Sequence, residues 1–140
     1  MRIMAVDYGD AHTGVALSDP TGFLAGTTTT IHSRKTEVVL EELSKLVQEY
    51  QVEELVMGFP KNMDGTEGPR AELYRAFAEQ LSQATGLTPI LWDERRTTVD
   101  AHRILFNAGK NAKKRKKTVD AVAASLILEN YLDFKRLQSH

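Results

Sequence analysis

The segment Arg2–Asp19, RIMAVDYGDAHTGVALSD, constrains the fold more than any other stretch of the chain. An apolar run, Ile3-Met4-Ala5-Val6, ends in the carboxylate Asp7. A turn with Gly9 and Gly14 follows, and a second apolar run, Val15-Ala16-Leu17, ends in Ser18-Asp19. Two β-rich runs separated by Gly and Asp predict a hairpin. The first run shows no apolar–polar alternation, so its strand is expected to be covered on both faces and central in its sheet. A carboxylate at the tip of such a strand is costly unless something cationic neutralises it. Gly9, just beyond it, lets another group approach the backbone closely. An Asp that merely caps a tight turn has the same local sequence, so the distinction rests on whether other carboxylates reach the same place.

Further along, Phe23–His32 is threonine-rich and predicts a third strand near a sheet edge. Ser33 is positioned to cap a helix carrying Val39, Leu43, Leu46, Val47 and Tyr50 on one face. Glu54–Gly58 predicts a strand that runs into the irregular stretch Phe59–Pro69, longer than the roughly 2–6 residues usual for such connections. A loop leaving a parallel strand is where α/β sheets place ligand contacts. Pro69 then opens a helix with Leu73, Phe77, Leu81 and Ala84 inward, closed by Gly86. Thr88–Trp92 predicts another strand, which ends in Asp93-Glu94-Arg95-Arg96. Thr97 or Thr98 caps a helix with Ala101, Ile104, Leu105 and Ala108 inward and Gly109 as its stop. The run Lys110–Lys117 is expected to be a mobile loop because its like charges repel. Thr118 caps the last helix, with Val119, Val122, Ala123, Leu126 and Ile127 buried and the small residues Ala121, Ala123, Ala124 and Ser125 close to the sheet.

Asp7, Glu94 and Asp120 thus begin or end elements around one apolar sheet. Turn capping, local pairing with Arg95 and Arg96, and a favourable helix dipole could account for them singly. Their company is harder to explain that way. Two arginines follow Glu94, and Lys110–Lys117 holds six of the 18 basic residues, leaving the remainder of a chain of net charge −1 at −7. The chain has no cysteine, which rules out disulfides and thiolate metal sites. Carboxylates without paired His ligands suit a hard cation, Mg²⁺ or Mn²⁺. Such an ion clamps phosphate oxygens and activates water in an in-line displacement. Carboxylates for metal, with Lys and Arg for a polyphosphate backbone, point to a nuclease.

Four sequence blocks resemble the YqgF/RuvX family, in order and over the whole chain. They are Asp7-Tyr8-Gly9 with Gly14–Asp19, Gly58-Phe59-Pro60 with Asn62–Pro69, Asp93-Glu94-Arg95 with Thr97-Thr98, and Asp120–Ala124. The resemblance implies the Holliday-junction-resolvase-like branch of the ribonuclease H-like fold, and a role in processing precursor 16S ribosomal RNA ends. It matches Asp7, Glu94 and Asp120 to a metal-binding acidic triad and sets the loop Asn62–Gly68 at the mouth of the site. In one departure, His12 stands where the family usually carries Arg. A partly charged imidazole replaces a permanent planar cation, so any grip on substrate there becomes pH-sensitive.

A chain of 140 residues fits one domain, 1–140, with a single core. The expected fold is a mixed five-stranded α/β sheet, its first three strands antiparallel, with helices on both faces. The expected activity is metal-dependent phosphodiester hydrolysis. Asp7, Glu94 and Asp120 serve as catalytic metal ligands. Gly9, His12, Asn62, Arg95, Arg96, Lys113, Lys114, Arg115, Lys116 and Lys117 serve as substrate contacts. Precursor ribosomal RNA is the expected partner, with ribosomal particles a further candidate. Resolution of branched DNA is the alternative and requires a symmetric dimer, whereas nothing in the sequence advertises a dimer surface and a monomer is expected. A non-catalytic RNA-binding module is a further alternative. A sugar-kinase-like ATPase would need a second lobe that this length does not supply. With no apolar stretch of the roughly 18 residues a membrane span requires, and no room before the first strand for a signal peptide, a cytoplasmic location is expected.

Overall fold

The computed structural model describes residues 1–22, 24–61, 64–93 and 112–138, the side chains of 112–121 and 138 excepted. Strands β1 (Arg2–Asp7), β2 (His12–Ser18), β3 (Ala25–His32), β4 (Val52–Phe59) and β5 (Ile90–Asp93) form one sheet in the order β3-β2-β1-β4-β5. The β1–β2 and β2–β3 pairs are antiparallel, and β1–β4 and β4–β5 are parallel. The unbroken apolar run of β1 therefore occupies the centre, and the threonine-rich β3 lies at an edge with Gly26–Thr29 exposed.

Strand alternation divides the core in two. Met4, Val6, Val15, Leu17, Leu55, Met57 and Phe59 point to the face covered by α1 (Thr36–Glu49) and α2 (Pro69–Thr85). Ile3, Ala5, Ala16, Val56 and Trp92 point to the other face, which is covered by α3 (Ala112–Gln138). On that second face the small side chains of Ala5, Ala16 and Ala124, all fully buried, let the helix lie close to the sheet. Large residues such as Leu43, Phe77 and Leu128 are also fully enclosed, each burial contributing about 1.5–3 kcal/mol.

Several expectations are corrected. The residue preceding α1 is Lys35, not Ser33, whose hydroxyl instead accepts the Lys35 N–H at 3.1 Å in a turn ahead of the helix. Leu73 is 51% exposed and Ala84 is also exposed, because the inward stripe of α2 is Ala71, Tyr74, Phe77, Ala78 and Leu81. Tyr74 takes the inner position, its ring packed on Tyr8 and its hydroxyl bonded to the Tyr8 carbonyl. The basic run is also not a loop over residues 112–117: α3 begins at Ala112, six residues before the expected Thr118 cap. Lys, Arg and Ala are among the strongest helix formers, and over residues 112–117 that propensity outweighs the repulsion between like charges. The expected helix after Thr97 lies outside the described residues. Pro69 and Gly86 bound α2 as expected, with Gly86 in the left-handed conformation at φ 79°.

Candidate active site at one edge of the sheet

Because β1, β4 and β5 are parallel, their C-terminal residues Asp7, Phe59 and Asp93 emerge at one edge of the sheet. The antiparallel β2 starts there with His12, and β3 ends there with His32. Alternation puts Asp7 on the side of Ile3 and Ala5, the face that α3 covers, and Asp7 is half-buried. Val6 pairs with Met57, so Gly58 is the next residue alongside Asp7 on the neighbouring strand. Gly58, which has no side chain, is itself buried there, between β1 and β5. Asp93 follows Leu91 on the opposite face, where α1 and α2 pack.

The turn that presents Asp7 is tightly built. A Cβ on Gly9 would collide with the carbonyl oxygen of His12, so the close approach requires glycine. Tyr8 stacks on Phe77 with ring centroids 3.8 Å apart and meets Tyr74 edge-on at 5.5 Å. The Tyr74 hydroxyl donates to the Tyr8 carbonyl at 2.6 Å and accepts from Arg70 at 3.0 Å. Helix α2 thus fixes the backbone immediately after Asp7.

The β4–α2 connection leaves the same edge. Asp64 Oδ1 accepts both the backbone N–H and the hydroxyl of Thr66, at 3.0 and 2.6 Å, around Gly65 at φ 90°. Glu67 Oε1 accepts from Arg75 Nε and Nη2 at 3.0 and 2.7 Å, and the Arg75 guanidinium lies 4.7 Å from the Phe59 ring centroid. Asn62, expected to contact substrate, lies outside the described residues.

Helix α3 runs towards this edge from the opposite end of the sheet. Near its C-terminus Lys135 pairs with Glu54 at 2.8 Å, close to the start of β4, and Tyr131 meets Trp92 edge-on at 5.8 Å. Earlier in the helix Ala124 packs against the sheet, and residue 120 is one turn before it. Glu94, Arg95 and Arg96, and the side chains of Asp120 and of residues 113–117, lie outside the description. Among the described residues no three His, Asp or Glu side chains converge as a metal site.

His12 and His32, paired in register, bring their Nδ1 atoms to 2.8 Å. His32 carries no sequence signal of its own, since its partnership depends on a strand register set 20 residues away. Tyr74 was legible in principle, three residues before Phe77 on the helical repeat.

The sheet order, the acidic residue closing its central strand and the helix crossing the face that residue occupies define a ribonuclease H-like α/β domain. Solved structures agree in fold: Thermus thermophilus RuvC has a TM-score of 0.61 at 10% identity, over 99% of this chain and 97% of that one. The fowlpox virus Holliday junction resolvase has a TM-score of 0.58 at 15% identity, over 96% and 99%. More specifically, the chain belongs to the family described as "RuvX: Holliday junction resolvase", whose model matches residues 1–134. A relative from Carboxydothermus hydrogenoformans is 44% identical over 135 residues, 96% of this chain and 98% of its own length. Another, from Moorella thermoacetica, is 49% identical over 133 residues, 95% of each chain. Both carry the name "Putative pre-16S rRNA nuclease".

Proposed function

We propose that the protein is a metal-dependent nuclease that hydrolyses phosphodiester bonds in the ends of precursor 16S ribosomal RNA. The carrying observation is the position of Asp7: at the exit of the central strand, half-buried, on the face that α3 crosses, beside Gly58. Position 94 directly follows the end of β5, whose Trp92 lies on the face of Asp7. Position 120, four residues before Ala124, shares that residue's side of the helix. Asp7, Glu94 and Asp120 would then form an all-oxygen donor set suited to Mg²⁺ or Mn²⁺. When bound, such an ion polarises the phosphoryl oxygen and lowers the pKa of a water.

The chain's own residues supply the rest. Gly9, in the turn after β1, and Asn62, in the β4–α2 connection, are the substrate contacts proposed for the loops at the Asp7 edge. Arg95, Arg96 and the basic run Lys113, Lys114, Arg115, Lys116 and Lys117 neutralise the phosphate backbone. The names of the relatives favour ribosomal RNA, whereas the family description and the viral resolvase bring in branched DNA. On this reading the protein works in the cytoplasm as a monomer, on RNA presented by ribosomal particles. Among the described residues no helix is long and apolar enough to cross a membrane.

Purified protein should be offered a precursor 16S end fragment and a four-way DNA junction side by side, with Mg²⁺ and with Mn²⁺. The RNA should be cut, and Asp7→Asn should abolish cutting while the circular dichroism spectrum stays native. Undiminished cleavage by Asp7→Asn would remove the metal site from Asp7, and symmetric cutting of the junction alone would make the enzyme a resolvase.

A further inference from the structure

We propose that His12 and His32 form a proton-sharing clamp for a phosphodiester oxygen of the nucleic-acid strand at the Asp7 edge. The inference rests on the nuclease reading above and extends it to a pair of residues on β2 and β3.

The geometry carries it. His12 opens β2 and His32 closes β3, and the two are direct register partners. Ala16 and Ile31 fix their side: His12 lies in alternation with Ala16, and His32 is one residue from Ile31, whose side chain faces α1 and α2. Both imidazoles therefore belong to the face that carries Asp7. Asp7 is in register with Gly14, so His12 lies one strand across and two residues further out, about 8 Å from Asp7 between Cα atoms. Both side chains are exposed, with ring planes at 83° and Nδ1 atoms 2.8 Å apart.

A contact of that length between two Nδ1 atoms requires one to donate and the other to accept. With one shared proton and both Nε2 atoms protonated, the pair carries a single positive charge. Both outward Nε2–H groups are then donors, a match for the oxygens of one phosphodiester. Removing a proton turns one Nε2 into an acceptor and discharges the pair. Adding a proton leaves two Nδ1–H groups facing each other and breaks the contact. The singly charged state is thus the one that both keeps the pair together and grips an anion. The charged groups around it are Asp7 on the same face, Asp10 in the preceding turn, and Arg34 and Lys35 after β3. The basic segment of α3 reaches towards the same edge.

The test uses the full chain in EDTA, so that binding is separated from cleavage. A 12-nucleotide single-stranded RNA should bind about tenfold more tightly at pH 6 than at pH 8, the gain of a charge-assisted hydrogen bond. The slope of log affinity against log salt should steepen by about 0.7 over the same interval, as one added cation meets one phosphate. His12→Asn and His32→Asn should each erase both effects and leave the melting temperature unchanged. Imidazole ¹⁵N spectra of the free protein should show the Nδ1–Nδ1 hydrogen bond between the two rings, and either variant should lose it. Pair-dependent binding without cleavage on adding Mn²⁺ would support the clamp and refute the nuclease reading. Cleavage by a protein whose RNA affinity is flat with pH would overturn the clamp and leave the nuclease reading intact. The clamp is equally overturned if His12→Asn alone removes the effect, if no RNA binds at either pH, or if stoichiometric Zn²⁺ binds the pair and blocks RNA, which would make it a metal chelate.

Discussion

Gly9 shows how much a single residue decides at this edge. Any side chain there meets the His12 carbonyl oxygen, which belongs to backbone and cannot rotate away. Gly9→Ala must therefore move the turn that follows Asp7, against the stacking of Tyr8 on Phe77 and the Tyr74 hydroxyl bond. The expected cost is about 1–3 kcal/mol, within the range for substitutions that force a local backbone shift. It should appear as a lower midpoint in urea, and an unchanged midpoint would mean that the turn relaxes freely. The glycine was visible in the sequence as a point of close approach. That the approaching group is the protein's own backbone, besides any ligand, became apparent only with the turn folded.

At the scale of elements, α3 combines two opposed designs. Its C-terminal half is secured: Lys135 pairs with Glu54, and Tyr131 is buried against Trp92. Burial first, then the bond to Glu54 and its charge, push the Tyr131 phenol well above its ordinary 10.0. The folded state therefore holds the phenolic proton more tightly than the unfolded chain does. The stability this contributes is fully present below about pH 10 and declines as pH rises above it. Tyr131→Phe has no phenolic proton to lose, so the stability gap between wild type and Tyr131→Phe should narrow between about pH 8 and about pH 11 in urea titrations. A gap that widens would place the Tyr131 proton in the wrong state. The N-terminal half is built against helix electrostatics: its first turn has no acidic residue, and Lys and Arg crowd the end where the dipole is positive. Replacing Lys113, Lys114, Lys116 and Lys117 by Ala should leave the melting temperature unchanged or raise it slightly. The same replacement should flatten the salt slope of single-stranded RNA binding by about 2–3. Parallel salt lines for the two proteins would mean that the run is only solvated charge.

For the whole molecule, the sheet is a platform with a core on each face, and only the face under α3 carries Asp7. If Asp7, Glu94 and Asp120 gather there, the metal-free protein holds mutually repelling carboxylates, and binding of Mg²⁺ or Mn²⁺ stabilises the native state by mass action. Thermal melts with increasing Mn²⁺ should rise for the wild type, and Asp7→Asn, Glu94→Gln and Asp120→Asn should each lose most of that rise. Their metal-free melting temperatures should equal or exceed the wild type, because one repelling charge is gone. A full Mn²⁺ response in any one variant would exclude that residue from the ligand set.

Much of this architecture is local, and so was legible in the chain. The unbroken run Ile3–Val6 required a central strand, the threonines of β3 an edge, and Pro69 and Gly86 the ends of a helix, because these choices depend on neighbours a few residues apart. Over residues 112–117 of the basic run, helix propensity outweighs the repulsion between like charges, a local contest that the sequence leaves open. Leu73 and Tyr74 compete for one inner position, and the Tyr8 carbonyl, 66 residues away, decides for Tyr74. The same limit applies at the candidate site. Sequence alone named Asp7, which ends an apolar run, and His12, which stands where the resembled family usually carries Arg. Which face each occupies, that Gly58 lies beside Asp7, and that His12 meets His32 depend on sheet order and register. Those are fixed by packing between distant segments, and only the tertiary structure decides them.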